Sequence, residues 1–225
     1  MKNILTLLIL LVSSSLLFAQ EEATPKKKYV YVDGSAQIGA DFVGSLAYGH
    51  SWGIGKKRNF ILGTGLRFSG FTSGSKEFYS APPEYFGNAS TQDTVTINSP
   101  SQMNLALYFS VSYLYKGKFE IGMNIDVVGY TFGPDHDAVY TGDGIDQNTT
   151  VSSNNVSALL IGANDIGMLK SEFYAQYHFN KKWSARLGFA STFTEYSTPT
   201  ELQEGNKRYR GISNGLIVGA RYNLK

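Results

Sequence analysis

Candidates for catalysis are few in this chain, which has 225 residues, three histidines and no cysteine. His50 stands beside Ser51, and a histidine can act as the base that activates a serine nucleophile. The base must lie within hydrogen-bond reach of that nucleophile. Neighbouring residues of a β-strand point to opposite faces, so the pair fails this requirement if the segment is a strand.

An acidic segment offers carboxylate oxygens, which are the ligands that Ca²⁺ and Mg²⁺ prefer. It surrounds His136 and contains no lysine or arginine over residues 133–168. Its spacing matches no complete EF-hand loop, which needs ligands at fixed positions and a closing glutamate. We therefore favour a solvated acidic loop over a metal site. The candidate ligands are Asp135, Asp137, Asp143 and Asp146.

The elements that must position these residues are predicted to be β-strands. Residues 212–224 alternate apolar with small or polar side chains, and a period of two indicates a strand with one apolar face. The same pattern predicts eight strands, each long enough for the roughly 9–11 residues with which a tilted strand crosses a bilayer. The predicted strands are residues 28–39, 42–53, 60–72, 102–115, 118–132, 169–180, 182–195 and 210–224.

The connections between the predicted strands alternate in length, except for a tight first connection at residues 39–41. Short periplasmic turns and longer external loops are typical of outer-membrane barrels. We therefore predict an all-β fold, an eight-stranded antiparallel up-and-down transmembrane β-barrel with long external loops and periplasmic termini. The short turns are residues 54–59, 116–117 and 181, and the long loops are residues 72–101, 133–168 and 196–209.

The two faces of the predicted strands differ in chemistry. One is apolar with aromatic residues near the short turns, and the other carries small residues and charges. Charges inside a narrow barrel must be paired or hydrogen-bonded to offset desolvation. About eight strands leave an interior that side chains fill, so we expect a salt-bridged plug, with a proton or ion path as the alternative. The predicted lumen charges are Arg67, Glu120, Asp126, Lys170, Glu172, Arg186 and Arg221.

The N-terminal residues are typical of an exported protein. Lys2 precedes an apolar run over residues 4–12, and the small residue Ala19 follows, as in a secretory signal peptide. We predict a signal peptide at residues 1–19 that uses the Sec pathway, a polar periplasmic lead-in at residues 20–28 and one barrel domain at residues 29–225. The formal net charge of +2 argues against general nucleic-acid binding.

Several segments resemble small outer-membrane β-barrel proteins of Bacteroidota bacteria. The similarity lies in residues 49–57, 65–68 and 159–173, and in residues 219–224, which resemble the C-terminal signal read by the barrel-insertion machinery. The sequence departs from that signal by ending in lysine instead of an aromatic residue. Asp93-Thr94-Val95 also resembles the O-glycosylation motif of these bacteria, with Thr94 as the acceptor. The resemblance implies a fold and an outer-membrane location, and no particular activity.

These features predict one function and leave two alternatives. We expect an integral outer-membrane protein with a filled lumen, which acts in a structural or interaction role through its external loops, without catalysis, cofactor or wide pore. Diffusion porins need about 16–18 strands. The expected partners are outer-membrane lipid, lipopolysaccharide, the insertion machinery and a protein at the external loops. The alternatives are a lipid A-modifying outer-membrane enzyme and a soluble periplasmic lipid-binding barrel.

Overall fold

The computed structural model describes residues 26–82, 93–142, 145–160, 162–202 and 205–224. The predicted signal peptide therefore lies outside the described residues. Within them the chain forms a thirteen-stranded antiparallel sheet and a 3-10 helix at Gly162–Asn164, and no helix is long and apolar enough to cross a bilayer. The strands are β1 (Lys28–Gly39), β2 (Phe42–Ile54), β3 (Phe60–Thr72), β4 (Lys76–Ser80), β5 (Thr94–Ile97), β6 (Ser101–Tyr115), β7 (Phe119–Phe132), β8 (His136–Gly142), β9 (Ile145–Ser153), β10 (Val156–Ala158), β11 (Leu169–His178), β12 (Trp183–Ser197) and β13 (Arg208–Asn223).

Eight long strands pair into a closed ring, which confirms the predicted all-β antiparallel class. The order around this large ring is β1, β2, β3, β6, β7, β11, β12 and β13, and β13 returns to β1 with Tyr31 opposite Asn223. One end of the ring has short turns. At the turn between β6 and β7, Lys116 and Gly117 both have positive φ, as a tight type I′ hairpin turn requires.

The prediction of only eight strands was wrong, because two of the long connections are themselves β-structure. Residues 72–101 contain β4 and β5, and residues 133–168 contain β8, β9 and β10. The sequence signal was weak, since β5 and β10 have four and three residues and β9 begins with a polar stretch. The third long connection is shorter than predicted, because β12 extends to Ser197 and β13 begins at Arg208.

Four of the added strands and the far ends of β12 and β13 close a second ring, here called the small ring. Its strands pair in the order β13, β4, β5, β8, β9 and β12. The circuit closes because β12 and β13 stay paired as far as Ser197 and Arg208. Every strand of the small ring contributes to its apolar core, which consists of Phe78, Val95, Ile97, Ala138, Tyr140, Val151, Tyr196 and Tyr209.

The two rings bury opposite kinds of side chain. The small ring has an apolar core, as in a protein surrounded by water. The large ring instead buries charged groups such as Arg67 and Asp126, while Ile121, Leu187 and Leu216 on its outer surface are 70%, 66% and 69% exposed. An apolar surface of this extent is not usual for a soluble monomer. The interior of the large ring is therefore the part of the chain that requires a chemical explanation.

Replacing Phe78 with alanine should loosen the small ring and leave the large ring intact. Phe78 is fully buried, and its ring centroid lies 5.0 Å from that of Tyr196. Truncating a buried phenylalanine to alanine costs about 3–5 kcal/mol. Hydrogen exchange of the detergent-solubilised protein, read by mass spectrometry, should become faster in β4, β5, β8 and β9 and stay unchanged in β1, β2 and β3.

Phe189→Ala is the matched control, since Phe189 lies on the outer surface of the large ring and is 47% exposed. This variant should leave exchange in the small ring unchanged. If Phe78→Ala instead accelerates exchange equally in both rings, the small ring does not have a stability of its own.

Candidate functional site

The seven charged residues predicted for the lumen come together inside the large ring. All of them are at most 8% exposed, and Lys170 and Glu172 are at 0%. Strand alternation places them there. Arg67, for example, lies between Leu66 and Phe68, which are 53% and 42% exposed on the outer surface.

Asp33 and His178 also belong to this interior and were not in the predicted set. Asp33 of β1 is 4% exposed and His178 of β11 is 8% exposed. The alternation of β1 was a sufficient signal for Asp33, because Tyr31 and Asp33 are buried while Val32 between them is 42% exposed. His178 stands at the end of its strand, where alternation gives less guidance.

Arg67 organises the cluster nearer to the small ring. Its Nε and Nη2 donate to Oδ1 of Asp126 at 2.9 and 2.6 Å, and its Nη1 donates to Oδ1 of Asn124 at 2.7 Å. Nη1 also lies 3.5 Å from Oε1 of Glu172. The same carboxylate oxygen is 2.9 Å from the ammonium group of Lys170. These contacts connect β3 with β7 and β11 across the interior.

Arg186 joins this cluster to a second one nearer to the short turns. Its Nη2 lies 3.5 Å from Oε2 of Glu172 and also contacts the carboxylate of Asp33. Arg221 donates from Nε to the other oxygen of Asp33 at 3.1 Å. The guanidinium carbon of Arg221 lies 3.9 Å from the ring centroid of Tyr31, a distance at which a cation is attracted to an aromatic face.

Glu120 is the acceptor at the short-turn end of the interior. Its Oε2 is 3.0 Å from Nε2 of His178 and accepts from Nε2 of Gln176 at 3.2 Å. Its Oε1 accepts from the hydroxyl of Tyr174 at 3.3 Å and lies 3.7 Å from Nη1 of Arg221. The side chains thus form one connected network from His178 to Lys170.

The interior is balanced in charge and nearly filled. Within the described part of the chain, four fixed cations inside the large ring contact four carboxylates. A cavity lined by Arg67 and Arg186 has a volume of about 10 Å³, and another beside Glu120 and His178 has about 20 Å³. Each volume corresponds to about one water molecule. The arrangement therefore cross-links the strands of the large ring.

An apolar contact and an ion pair lie at the small-ring end of the interior. Val43, Phe71 and Met168 pack together there. Lys76 of β4 contacts the carboxylate of Asp41, in the connection between β1 and β2, and donates to Oγ of Ser213 at 2.8 Å. Burial raises the pKa of Asp41, but the hydrogen bonds from Lys76 and Ser213 outweigh burial, so the pKa is lower than usual.

The three candidate metal ligands that the structure describes, Asp135, Asp137 and Asp146, do not form a common site. Oδ1 of Asp135 accepts from Oγ of Ser152 at 2.6 Å, and Oδ1 of Asp146 accepts from Oγ1 of Thr141 at 2.8 Å. Asp137 is exposed on β8, and Asp143 lies outside the described residues. In the ranges that the structure describes, no group of three His, Asp or Glu side chains is arranged to hold a metal ion.

The remaining candidates lie apart from the interior network. His50 is half-buried on the outer surface, with its ring 5.1 Å from that of Tyr48, whereas Ser51 is buried inside. Thr94 begins β5 in the small ring and is half-buried. Its neighbour Asp93 accepts a hydrogen bond from the hydroxyl of Tyr140 at 2.6 Å. O-glycosylation of Thr94 stays a prediction.

Comparison with known proteins gives structural likenesses only. No protein-family model and no curated protein sequence matches the chain significantly. A major outer membrane protein from Thermus thermophilus has 16% identity and a TM-score of 0.44, over 88% of this chain and 100% of that one. Neisserial surface protein A has 9% identity and a TM-score of 0.39, over 88% and 97%. The toluene transporter TbuX from Ralstonia pickettii has 10% identity and a TM-score of 0.27, over 81% of this chain and 67% of that one. These values are too low to support a functional assignment.

Arg67→Met should destabilise the protein by about 3–5 kcal/mol, because it leaves the buried carboxylate of Asp126 without its cation. The double variant Arg67→Met with Asp126→Asn should recover part of this loss, since the unpaired charge is removed. The measurement is the urea unfolding midpoint of the protein in detergent, followed by tryptophan fluorescence. A double variant as unstable as the sum of the single variants would show that the two side chains do not act as a pair.

Acid should weaken the contact between Asp41 and Lys76. A carboxyl group whose pKa is lowered in the folded state stabilises the protein at pH values above its pKa in the unfolded state, which is about 4. This stabilisation is lost as the pH falls through the pKa of the group in the folded state. Lys76→Met removes the main cause of the lowered pKa. The unfolding midpoint of the wild type should therefore fall more steeply than that of Lys76→Met between about pH 5 and pH 2. Equal pH dependence in the two proteins would show that the pair of Asp41 and Lys76 does not contribute to stability.

Proposed function

We propose that the chain is an integral outer-membrane protein whose large ring crosses the bilayer as an eight-stranded β-barrel. The observation that carries this proposal is the combination of a charged, paired interior with an exposed apolar outer surface. In a bilayer every backbone polar group must be satisfied within the protein, and a closed ring of strands does so. Lipid would then cover the apolar surface.

The height of the apolar surface supports this placement. The outward pairs Trp183–Tyr222 and Phe193–Ile212 lie 10 residues apart along β13. A tilted strand needs about 9–11 residues to cross the hydrocarbon layer. Aromatic residues collect on the outer surface at the short-turn end, as in the interfacial girdles of such barrels. They are Trp52, Phe60, Tyr115, Phe119 and Trp183.

The distribution of positive charge supports an orientation with the short turns in the periplasm. Lysine and arginine side chains can reach from there to phospholipid head groups. The small ring then projects from the outer face of the membrane, and both termini lie in the periplasm. The basic residues at the short turns are Lys56, Lys57, Arg58, Lys116, Lys118, Lys181 and Lys182.

A structural or interaction role fits this geometry better than the alternatives. The small ring is a cored module on the outer side, which offers a partner a defined surface instead of an open loop. A soluble lipid-binding barrel would bury apolar residues and expose polar ones, the reverse of the large ring. For a lipid-modifying enzyme, His50 and Ser51 would have to meet, but they occupy opposite faces of β2.

The proposal predicts membrane insertion without conductance. The protein should fractionate with the outer membrane, migrate faster on gels before heating than after it, and produce no nanosiemens-scale open channel in planar bilayers. The reason is that the paired side chains fill the lumen. Recovery in the soluble periplasmic fraction would contradict the membrane placement, and steady large conductance would contradict the filled lumen. Lipid A of unchanged acylation in a deletion strain is the expected result for a protein without lipid-modifying activity.

A further inference from the structure

The outer face of the small ring carries a patch of polar side chains on three neighbouring strands, β5, β8 and β9. Thr96 lies opposite Val139, and Val139 lies opposite Asn148. In the adjoining row of the same face, Asp137 lies opposite Thr150. Neighbouring strands lie about 5 Å apart, and alternate residues of one strand lie about 7 Å apart. The two rows therefore form a patch of roughly 10 by 7 Å, which is the footprint of a short saccharide.

An open cavity of about 460 Å³ lies over this patch and is here called the small-ring cavity. Binding pockets for small ligands commonly have volumes of about 300–1,000 Å³. The cavity has an apolar centre at Val139, which is 37% exposed, and polar residues flank it on both neighbouring strands. Its lining includes Thr96, Asn98, Asp137, Val139, Asn148 and Thr150.

The polar side chains of the small-ring cavity are free to bind a ligand. Within the described ranges, Thr96, Asn98 and Asn148 make no side-chain hydrogen bond to another residue. Just outside the cavity the situation differs, because Asp146 accepts a hydrogen bond from Thr141 at 2.8 Å. An asparagine amide both donates and accepts hydrogen bonds, as does a threonine hydroxyl group. The cavity therefore offers donors and acceptors together.

The lining favours a neutral ligand that is rich in hydroxyl groups. Its described residues include no lysine, arginine or histidine, so an anion would find no cation there. Its one carboxylate is Asp137, whereas Ca²⁺ takes about 6–8 oxygen ligands. In the part of the chain that the structure describes, no group of three His, Asp or Glu side chains is arranged to hold a metal ion. An apolar ligand would leave the amides and hydroxyl groups without partners, which is unfavourable.

The small-ring cavity lies at the end of the small ring that is nearest to the large ring. Asn98 precedes Ser101, the first residue of β6, by three residues. Ser101 pairs with Thr72 at the end of β3, and Nε2 of His136, next to Asp137, lies 3.2 Å from the backbone nitrogen of Ser101. In the proposed orientation, the cavity would face the outside medium close to the lipid head groups.

We propose that the small-ring cavity binds a neutral oligosaccharide. Asn98 and Asn148 would exchange hydrogen bonds with its hydroxyl groups, and the C–H face of a sugar ring would pack on Val139. Asp137 would accept hydrogen bonds from hydroxyl groups and would repel saccharides that carry phosphate or carboxylate groups. The inference names a class of partner for the small ring, and it rests on the proposed function for the exposure of the cavity at the cell surface.

Binding of the full protein to a glycan array tests the proposal. The probes are neutral oligosaccharides of glucose, galactose and mannose, and the same oligosaccharides with an added phosphate or carboxylate. The detergent has a polyoxyethylene head group, because glycoside detergents would compete. A neutral oligosaccharide should bind, and its charged forms should bind at least about tenfold more weakly. Binding of none of the neutral probes, or equal binding of the charged forms, would overturn the proposal.

Variants that remove hydrogen-bonding groups test the location. Asn148→Leu should weaken binding of the neutral oligosaccharide at least about tenfold, because it removes donors and an acceptor at similar size. Thr96→Val removes one hydroxyl group and should weaken binding about fivefold. Its matched control is Thr94→Val, on the same face of β5, two residues away and outside the cavity. Thr94→Val should bind as the wild type does, and equal losses in Thr94→Val and Thr96→Val would contradict this site.

A charge variant tests the selectivity. Asp137→Asn should bind the phosphorylated and carboxylated oligosaccharides nearly as tightly as the neutral one, because the repelling carboxylate is removed. Asp146→Asn, in β9 and outside the cavity, is the control and should discriminate as the wild type does. If Asp137→Asn keeps the full discrimination against charged saccharides, the orientation of the ligand over Asp137 is wrong.

Native mass spectrometry of the purified protein separates two sources of the oligosaccharide. A saccharide from the cell's own surface should appear as a bound mass that is absent in Asn148→Leu. A saccharide from the medium should bind only when it is added. Binding from neither source would overturn the proposal.

The heat-modifiable gel shift of each variant reports whether it is folded. A protein that inserts into vesicles and binds no neutral oligosaccharide contradicts this inference alone. A protein that binds the oligosaccharide in detergent and does not insert contradicts the proposed function alone.

Discussion

The pairing of charges inside the large ring is the constraint on which the other features depend. Each fixed cation there contacts at least one carboxylate, and the network continues from His178 to Lys170. An unpaired charge in such an interior would be strongly unfavourable. The pairs therefore restrict the order and register of the strands, because Arg67 of β3 can reach Asp126 of β7 only if a single strand, β6, lies between them.

Enclosing the charges leaves the apolar side chains on the outside, and the small ring shows the opposite arrangement in the same chain. The two rings share β12 and β13, whose inward residues change from Arg221 and Ser213 to the apolar-core residue Tyr209 within one strand. The change occurs where the outer surface also changes, from Ile212 to Arg210. A single hairpin thus passes between two environments, and the side chains on both of its faces change at the same level.

The sequence was sufficient to predict the strands of the large ring and insufficient to predict those of the small ring, and the reason is physical. Long strands with an apolar face and a small or charged face, such as β6 and β13, have a clear period of two. The same alternation of faces predicted that Arg67, Glu120 and Asp126 lie in the interior. The strands β4, β5 and β10 are too short for periodicity to be recognised, and their pairing depends on distant partners such as β8.

The central claim is that the apolar outer surface of the large ring faces lipid, and the two tryptophans of the chain can test it. Trp52 and Trp183 are 41% and 50% exposed at the short-turn end. In vesicles containing brominated phospholipids, we predict strong quenching of their fluorescence, greatest when bromine is near the head-group end of the acyl chain, and little quenching by aqueous iodide. Strong quenching by iodide with none by brominated lipid would contradict the account.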